Sequence, residues 1–175
     1  MPGRVALLPD WSLPATAGRD SGTDPTLLDF PAPVLQAYPK ETVIAEKVEA
    51  LTALGLLNSR LKDSYDLARL ARLYPFDGEQ LVEAITATFR HRGTTIESEP
   101  VGLTAAYYGD PARPVQWRAF VRRSRFREES GDLERLVDDV RRFALEPLAA
   151  AADQRVFKAA WRAGGPWGSR PATQS

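Results

Sequence analysis

The positions of the prolines divide this chain into two unequal parts. Six of its 14 prolines lie within residues 1–33. Proline fixes φ and has no N–H to donate, so this segment cannot hold long helices. We therefore expect an irregular arm over residues 1–33 and a helical domain over residues 34–163, which begins with a short strand at residues 34–37.

Apolar residues recur at helical spacing in the remainder of the chain. The pattern predicts a mainly α, bundle-like fold with at most one or two short strands. Residues 94–114 are expected to form a connection, and residues 164–175 a disordered tail that starts at Gly164-Gly165-Pro166. The predicted helices span residues 41–54, 59–74, 78–91, 115–123 and 133–145, and one opened by Pro147 that runs towards Trp161.

Residues that start and stop helices mark several of these ends. Asn58 or Ser59 can cap the second helix, and Gly55 stops the first. Asp77 and Gln80 have the spacing of a capping box at the start of the third helix. Gly93 follows that helix as its terminator.

The composition excludes several classes of protein. Lys and Arg (23) balance Asp and Glu (23), there is no cysteine, and His91 is the only histidine. Disulfides and a multi-histidine zinc site are therefore excluded. No glycine-rich phosphate loop, signal-peptide core or membrane-length apolar run is present, so we expect a cytoplasmic protein with no membrane association.

One lysine falls on the apolar side of the first predicted helix. Lys47 has Val43, Ile44 and Leu51 as helical neighbours one turn away. On the same helix, polar residues lie on the opposite side, which we expect to be wetted; they are Glu46, Glu49 and Thr52. A lysine that points inward loses hydration unless an anion meets it, although its long stem can also extend to water.

Two acids show the opposite anomaly on the second helix. Asp63 and Asp66 are three residues apart and share a face with Leu67 and Leu70. Acids near a helix N-terminus also favour the helix dipole and need no other reason. If the two helices pack together, however, Lys47 and both acids are predicted to meet in one polar pocket.

A cluster of cationic and aromatic residues follows later in the chain. Arg118, Arg122 and Arg123 alternate with Trp117 and Phe120. Arg125 and Arg127 continue the cluster. Arginine beside aromatic rings suits contact with RNA phosphates and bases. The alternative is that the rings pack inside while the arginines remain solvated near Glu128 and Glu129.

Two long segments resemble the AbiEii/AbiGii family of toxins. They are YPKETVIAEKVEA at residues 38–50 and NSRLKDSYDL at residues 58–67. Weaker likeness appears at residues 26–33, 76–78, 87–92 and 116–120. In all, the resemblance covers roughly residues 25–145.

This resemblance implies the helical C-terminal lobe of a nucleotidyltransferase-fold protein from a type IV toxin–antitoxin and phage-defence system. Such proteins use a divalent metal, Mg²⁺, and a nucleoside triphosphate, and some modify the acceptor end of tRNA. The implied catalytic residues are Lys47 with Asp63 or Asp66, and a cognate antitoxin, a transcriptional regulator, is the implied partner. Lys40, Arg60 and Lys62 flank the expected pocket and are predicted to contact the substrate.

One part of the family's pattern is missing from the sequence. Such enzymes carry a Gly-Ser element followed by an Asp-x-Asp pair that holds the metals. This chain has no Asp-x-Asp, and its one Gly-Ser is Gly168-Ser169. We therefore predict no metal ligands, and a truncated chain that is inactive alone. The alternatives are a catalytically dead remnant that binds nucleotide, RNA or antitoxin, and a helical scaffold with a structural ion pair.

Overall fold

The computed structural model describes residues 39–124 and 132–170. Within these ranges the chain forms six α-helices and three short strands. In chain order the elements are α1 (Lys40–Leu54), a 3-10 turn (Gly55–Leu57), α2 (Leu61–Leu73), β1 (Phe76–Asp77), α3 (Gly78–Arg92), a second 3-10 turn (Val101–Leu103), α4 (Ala105–Tyr108), α5 (Ala112–Arg123), α6 (Leu133–Ala152), β2 (Ala159–Trp161) and β3 (Trp167–Ser169). The expected arm at 1–33, the strand at 34–37 and the end of the tail at 171–175 lie outside the described residues.

The mainly α prediction is confirmed, and the third helix follows the predicted signals closely. The Asp77 side chain accepts a hydrogen bond from the backbone N–H of Gln80, which caps α3. Gly93 ends the helix with φ +69°, a left-handed conformation that favours glycine. At the second helix the predicted cap is wrong, because Asn58 accepts instead from the N–H of Arg60, before the helix begins.

The prediction that Glu46, Glu49 and Thr52 form a solvent-exposed side of α1 is also wrong. Glu49 is 4% exposed and Thr52 is 8% exposed, whereas Glu46 is exposed. Both buried groups are satisfied: Glu49 accepts from the Thr94 hydroxyl at 2.6 Å, and the Thr52 hydroxyl donates to the carbonyl of its own helix one turn back. Nearly every side of α1 is therefore covered, which a two-sided pattern does not predict.

The connection predicted at residues 94–114 contains more structure than expected. The turn at Val101–Leu103 and helix α4 lie within it, and α5 begins at Ala112 rather than at residue 115. Leu103 and Tyr107 fix this segment to the core, at 1% and 0% exposure. Pro114 is tolerated because it lies in the first turn of α5, where backbone N–H groups have no partner within the helix.

Pro147 does not open a new helix as predicted but lies inside α6. Because proline has no N–H, it leaves the carbonyl of Phe143, four residues earlier, without its usual donor. The indole Nε1 of Trp167 donates to that carbonyl at 2.8 Å. A distant residue therefore satisfies the group that the proline frees, and the helix continues to Ala152.

A small antiparallel sheet replaces the helix expected near Trp161. Its strand order is β1-β2-β3, with Phe76 opposite Trp161 and Trp161 opposite Trp167. Residues 39–124 and 132–170 thus contain three strands where at most two were expected. Ordered structure also continues past Gly164, since Arg170 pairs with Asp77 and with Glu79 at the start of α3.

The core lies where α6 packs against both α2 and α3. It is built from buried aliphatic and aromatic side chains contributed by every helix. None of the described helices has the length and apolar character that crossing a bilayer requires.

Candidate functional site

The ammonium of Lys47 lies between the two carboxylates of α2. Its Nζ donates to Asp63 Oδ1 at 2.8 Å and to Asp66 Oδ2 at 3.0 Å. The three side chains are about equally sheltered, with 19%, 19% and 20% of their surfaces exposed. The predicted meeting of one cation and two anions is confirmed, and the alternative in which Lys47 reaches only water is wrong.

The local sequence explains how α2 presents both acids together. A spacing of three residues places Asp63 and Asp66 side by side on one face of the helix. Asp63 is the third residue of α2, within the first turn, where a negative charge also favours the helix dipole. On α1, the buried Ile44 and Leu51 fix the face from which Lys47 projects.

Competing effects act on the pKa of Lys47. Burial lowers it, because desolvation disfavours the charged amine, but the hydrogen bonds and charges of Asp63 and Asp66 raise it by more. The net pKa is raised above the ordinary value of 10.5. Lys47 is therefore a cation at neutral pH.

The two acids differ in how many cations they hold. Asp66 Oδ2 accepts from Lys47 and also from Lys62 Nζ at 2.8 Å, one turn earlier on the same helix. Asp63 accepts from Lys47 through Oδ1 alone among the described contacts. Asp66 thus joins two lysines, whereas Asp63 retains more capacity for another donor.

A groove of about 740 Å³ runs between the start of α2 and α5. Its lining includes one acidic residue, Asp63, and three cationic ones, Arg60, Lys62 and Arg123. The residues that line the groove are Ser59, Arg60, Leu61, Lys62, Asp63, Gln116, Ala119, Phe120, Arg123 and Ser124. The groove therefore combines positive charge, amide and hydroxyl groups and one aromatic ring, next to the ion pairs of Lys47 with Asp63 and Asp66.

The residues predicted to bind substrate or RNA separate into different places. Arg60, Lys62 and Arg123 line the groove. Lys40, the first residue of α1, is buried, with 8% of its surface exposed.

The other arginines of the predicted RNA cluster lie elsewhere. Arg118 and Arg122 are exposed on α5 and do not line the groove. Arg125 and Arg127 lie outside the described residues. Trp117 packs inside at 4% exposure and stacks on Phe120, so the aromatic part of the cluster is mostly structural.

Sequence reasoning missed Arg113, which the structure buries beside the groove at 6% exposure. Its position two residues after Pro111 looks like part of an exposed loop. A possible signal is the first turn of α5, which carries Arg113 and Trp117 four residues apart on one face. Gln116 and Ser124 were also not predicted as lining residues.

The described residues do not fit a divalent metal centre. Among residues 39–124 and 132–170, no three His, Cys, Asp or Glu side chains converge in a way that could hold a metal ion. The two carboxylates of the site, Asp63 and Asp66, already bind the ammonium of Lys47.

One comparison with known proteins decides the family. The family model described as nucleotidyl transferase AbiEii toxin, Type IV TA system, matches residues 16–157. The chain belongs to this family. The match covers most of the chain and includes Lys47, both acids and the groove. Searches of curated proteins and of solved structures found no match to the chain.

Membership gives the coarse functional class. AbiEii proteins are nucleotidyl transferase toxins, and nucleotidyl transferases act on nucleoside triphosphates, generally with a divalent metal. A toxin of a toxin–antitoxin system also implies an antitoxin partner.

Proposed function

We propose that this AbiEii chain is the helical lobe of a nucleotidyl transferase toxin, and that its groove binds the triphosphate of a nucleotide. The observation that carries the proposal is the ammonium of Lys47, fixed by two carboxylates beside a groove with three further cations. A charged group held in place before the substrate arrives stabilises developing negative charge at little reorganisation cost. Phosphoryl-type transfer depends mainly on such stabilisation.

Lys47 can serve a triphosphate without losing its partners. An ammonium has three hydrogens, and among the described contacts Asp63 and Asp66 accept two of them. The third remains for a phosphate oxygen. In this proposal the acids orient the amine and keep it charged.

We assign the two acids different roles. Asp66 holds Lys47 and Lys62 together and is the orienting acid. Asp63 lines the groove and is the acid that faces the substrate. In the transfer, an acceptor oxygen bonds to the α-phosphorus, the bond to the β-phosphate breaks, pyrophosphate leaves, and the acceptor proton passes to a base such as the Asp63 carboxylate.

The remaining cations divide between the two substrates. Arg60, Lys62 and Arg123 line the groove and suit the triphosphate. Arg118 and Arg122 are exposed on α5 outside the groove lining, where we place contact with an acceptor such as tRNA. The family assigns neither the nucleotide nor the acceptor.

A second candidate is binding without transfer. The sequence has no Asp-x-Asp, and residues 39–124 and 132–170 form no metal centre. No step of the mechanism is therefore routed through a metal held by these residues. In this version the chain binds nucleotide, RNA or an antitoxin and does not complete the reaction alone.

Binding and transfer are best tested separately. Equilibrium binding of labelled nucleoside triphosphates is measured first, with wild-type chain, Lys47→Met, and Lys158→Met as a matched control at an exposed lysine. We expect Lys47→Met to weaken binding by at least about tenfold, the loss of one charge-assisted contact. Equal affinity of wild type and Lys47→Met would contradict the proposal.

The second assay adds Mg²⁺ and tRNA and follows covalent transfer of label. Transfer that disappears in Lys47→Met supports the enzyme. Binding without transfer by the folded wild-type chain favours the second candidate.

A further inference from the structure

Arg113 is a buried charged residue that makes contacts well beyond those needed for packing. Its Nη1 donates to the carbonyl of Asn58 at 2.7 Å, and its Nη2 donates to the carbonyl of Leu56. The guanidinium carbon lies 4.5 Å from the centre of the Tyr107 ring, a cation–π distance. A planar fork that binds two main-chain carbonyls fixes their separation and their direction, which a lysine cannot do.

The bound carbonyls belong to the turn that joins α1 to α2. Helix ends leave carbonyls without partners, and a cation near a helix C-terminus is favourable. Gly55 allows the chain to turn there with φ +50°. Arg113 therefore anchors the segment that determines where α2 begins.

Further bonds extend this anchor to the groove. The Tyr107 hydroxyl donates to the same Asn58 carbonyl at 3.1 Å. The Asn58 side chain accepts from the backbone N–H of Arg60 at 2.8 Å, immediately before α2. Asp63 follows three residues later and donates its own backbone N–H to the Arg60 carbonyl at 2.9 Å.

Arg113 also acts on the opposite wall of the groove. Its Nη1 donates to Gln116 Oε1 at 3.2 Å, so the oxygen of that amide faces Arg113. Gln116 lines the groove together with Asp63. One guanidinium thus touches a residue of the α5 wall and the turn that leads into the α2 wall.

From these contacts we infer that Arg113 is a positioning residue. It sets the start of α2 relative to α5, and through that it holds Asp63 at hydrogen-bond distance from Lys47 while it does not touch the substrate. The inference rests on the proposed function for its consequence in nucleotide binding. Its structural consequence, the geometry of the hydrogen bond between Lys47 and Asp63, can be measured without any nucleotide.

The test uses Arg113→Lys in the full chain and follows the ammonium resonance of Lys47 by nitrogen-15 NMR. The matched control is Arg141→Lys, because Arg141 also binds a main-chain carbonyl, that of Leu103, and an acid, Glu99, away from the groove. Hydrogen exchange of the Lys47 ammonium is expected to accelerate about tenfold in Arg113→Lys and to stay at the wild-type rate in Arg141→Lys. Triphosphate affinity should fall about tenfold in the first variant alone.

Two outcomes would overturn the inference. One is an unchanged Lys47 resonance and exchange rate in folded Arg113→Lys. The other is an equal change in both variants, which would indicate general loosening. If Arg113→Lys does not fold, Arg113→Met replaces the guanidinium with an uncharged side chain, a change that buried charges often tolerate. Exchange of the Lys47 ammonium should accelerate in folded Arg113→Met as well, and exchange at the wild-type rate would overturn the inference.

A wild-type chain that fails to bind triphosphate would contradict the proposed function alone. The Lys47 resonance would still decide the role of Arg113.

Discussion

Two clusters differ in how many of their hydrogen-bonding groups already have partners within the protein. The polar cluster consists of Lys47, Asp63 and Asp66, and the aromatic cluster consists of Phe143 with Phe76, Trp161 and Trp167. In the aromatic cluster, Phe143 contacts Phe76 and Trp161 with ring centres 5.0 Å apart, and Trp167 at 5.8 Å. The indole N–H groups of Trp161 and Trp167 donate to main-chain carbonyls. That cluster is closed, with no described indole donor left for a ligand.

The polar cluster, by contrast, is only partly enclosed. About a fifth of each charged side chain is exposed, and Asp63 lines a groove. Partial exposure reduces what ion pairs contribute to stability. The comparison therefore assigns stability mainly to the aromatic cluster and ligand binding to the polar cluster, and each assignment can be tested.

The largest effect on stability is expected at the aromatic cluster. Phe143→Ala removes a fully buried ring and leaves a cavity, which should cost about 3–5 kcal/mol of unfolding free energy. Urea denaturation of the variant measures this loss, with Phe143→Leu as a smaller perturbation at the same position. A loss below about 1 kcal/mol would mean that the aromatic cluster is not the main source of stability.

The sequence predicted the polar cluster but not the closure of the aromatic one. Lys47, Asp63 and Asp66 were found because charges on an apolar helical face break a local pattern. The closure of the aromatic cluster was missed, since it depends on Trp167 satisfying the carbonyl that Pro147 frees, 20 residues earlier in the chain. The local pattern indicates which residues of a helix face the core, but not which distant residue forms a hydrogen bond with that helix.

The same limit explains the other errors. Glu49 was assigned to water because its partner, Thr94, lies 45 residues away. Arg113 was missed because its importance comes from the Leu56 and Asn58 carbonyls, which are main-chain atoms that carry no sequence signal. Helical periodicity thus cannot predict the long-range hydrogen bonds of buried polar groups.

An intermediate effect is expected at Lys47, and it depends on pH. Lys47→Met leaves Asp63 without its described cation and Asp66 with Lys62 alone. This should cost about 1–3 kcal/mol, less than for a fully buried pair because the site is partly exposed. The pKa of Lys47 is raised above 10.5 in the folded chain. Its contribution is therefore fully present below pH 10.5 and is lost as pH rises through the folded-state pKa.

The measurement is the difference in unfolding free energy between wild type and Lys47→Met from about pH 8 upward. That difference should shrink above pH 10.5. Burial also raises the pKa of Tyr107 above 10.0, although Arg113 opposes this, so both chains share a second alkaline loss that cancels in the comparison. A difference that stays constant to the highest pH at which the chains fold would mean that the charge of Lys47 does not stabilise the fold.

The smallest effect on stability is expected at Lys62, where it separates stability from binding most clearly. Lys62 pairs with Asp66 one turn away, but 65% of its side chain is exposed. Such a pair contributes about 0.3–0.5 kcal/mol, so Lys62→Ala should leave unfolding almost unchanged. Because Lys62 lines the groove, the same substitution should weaken triphosphate binding and reduce its dependence on salt. If Lys62→Ala instead destabilised the fold and left binding unaltered, the polar cluster would resemble the aromatic one. The assignment of stability to the aromatic cluster and of ligand binding to the polar cluster would then be wrong.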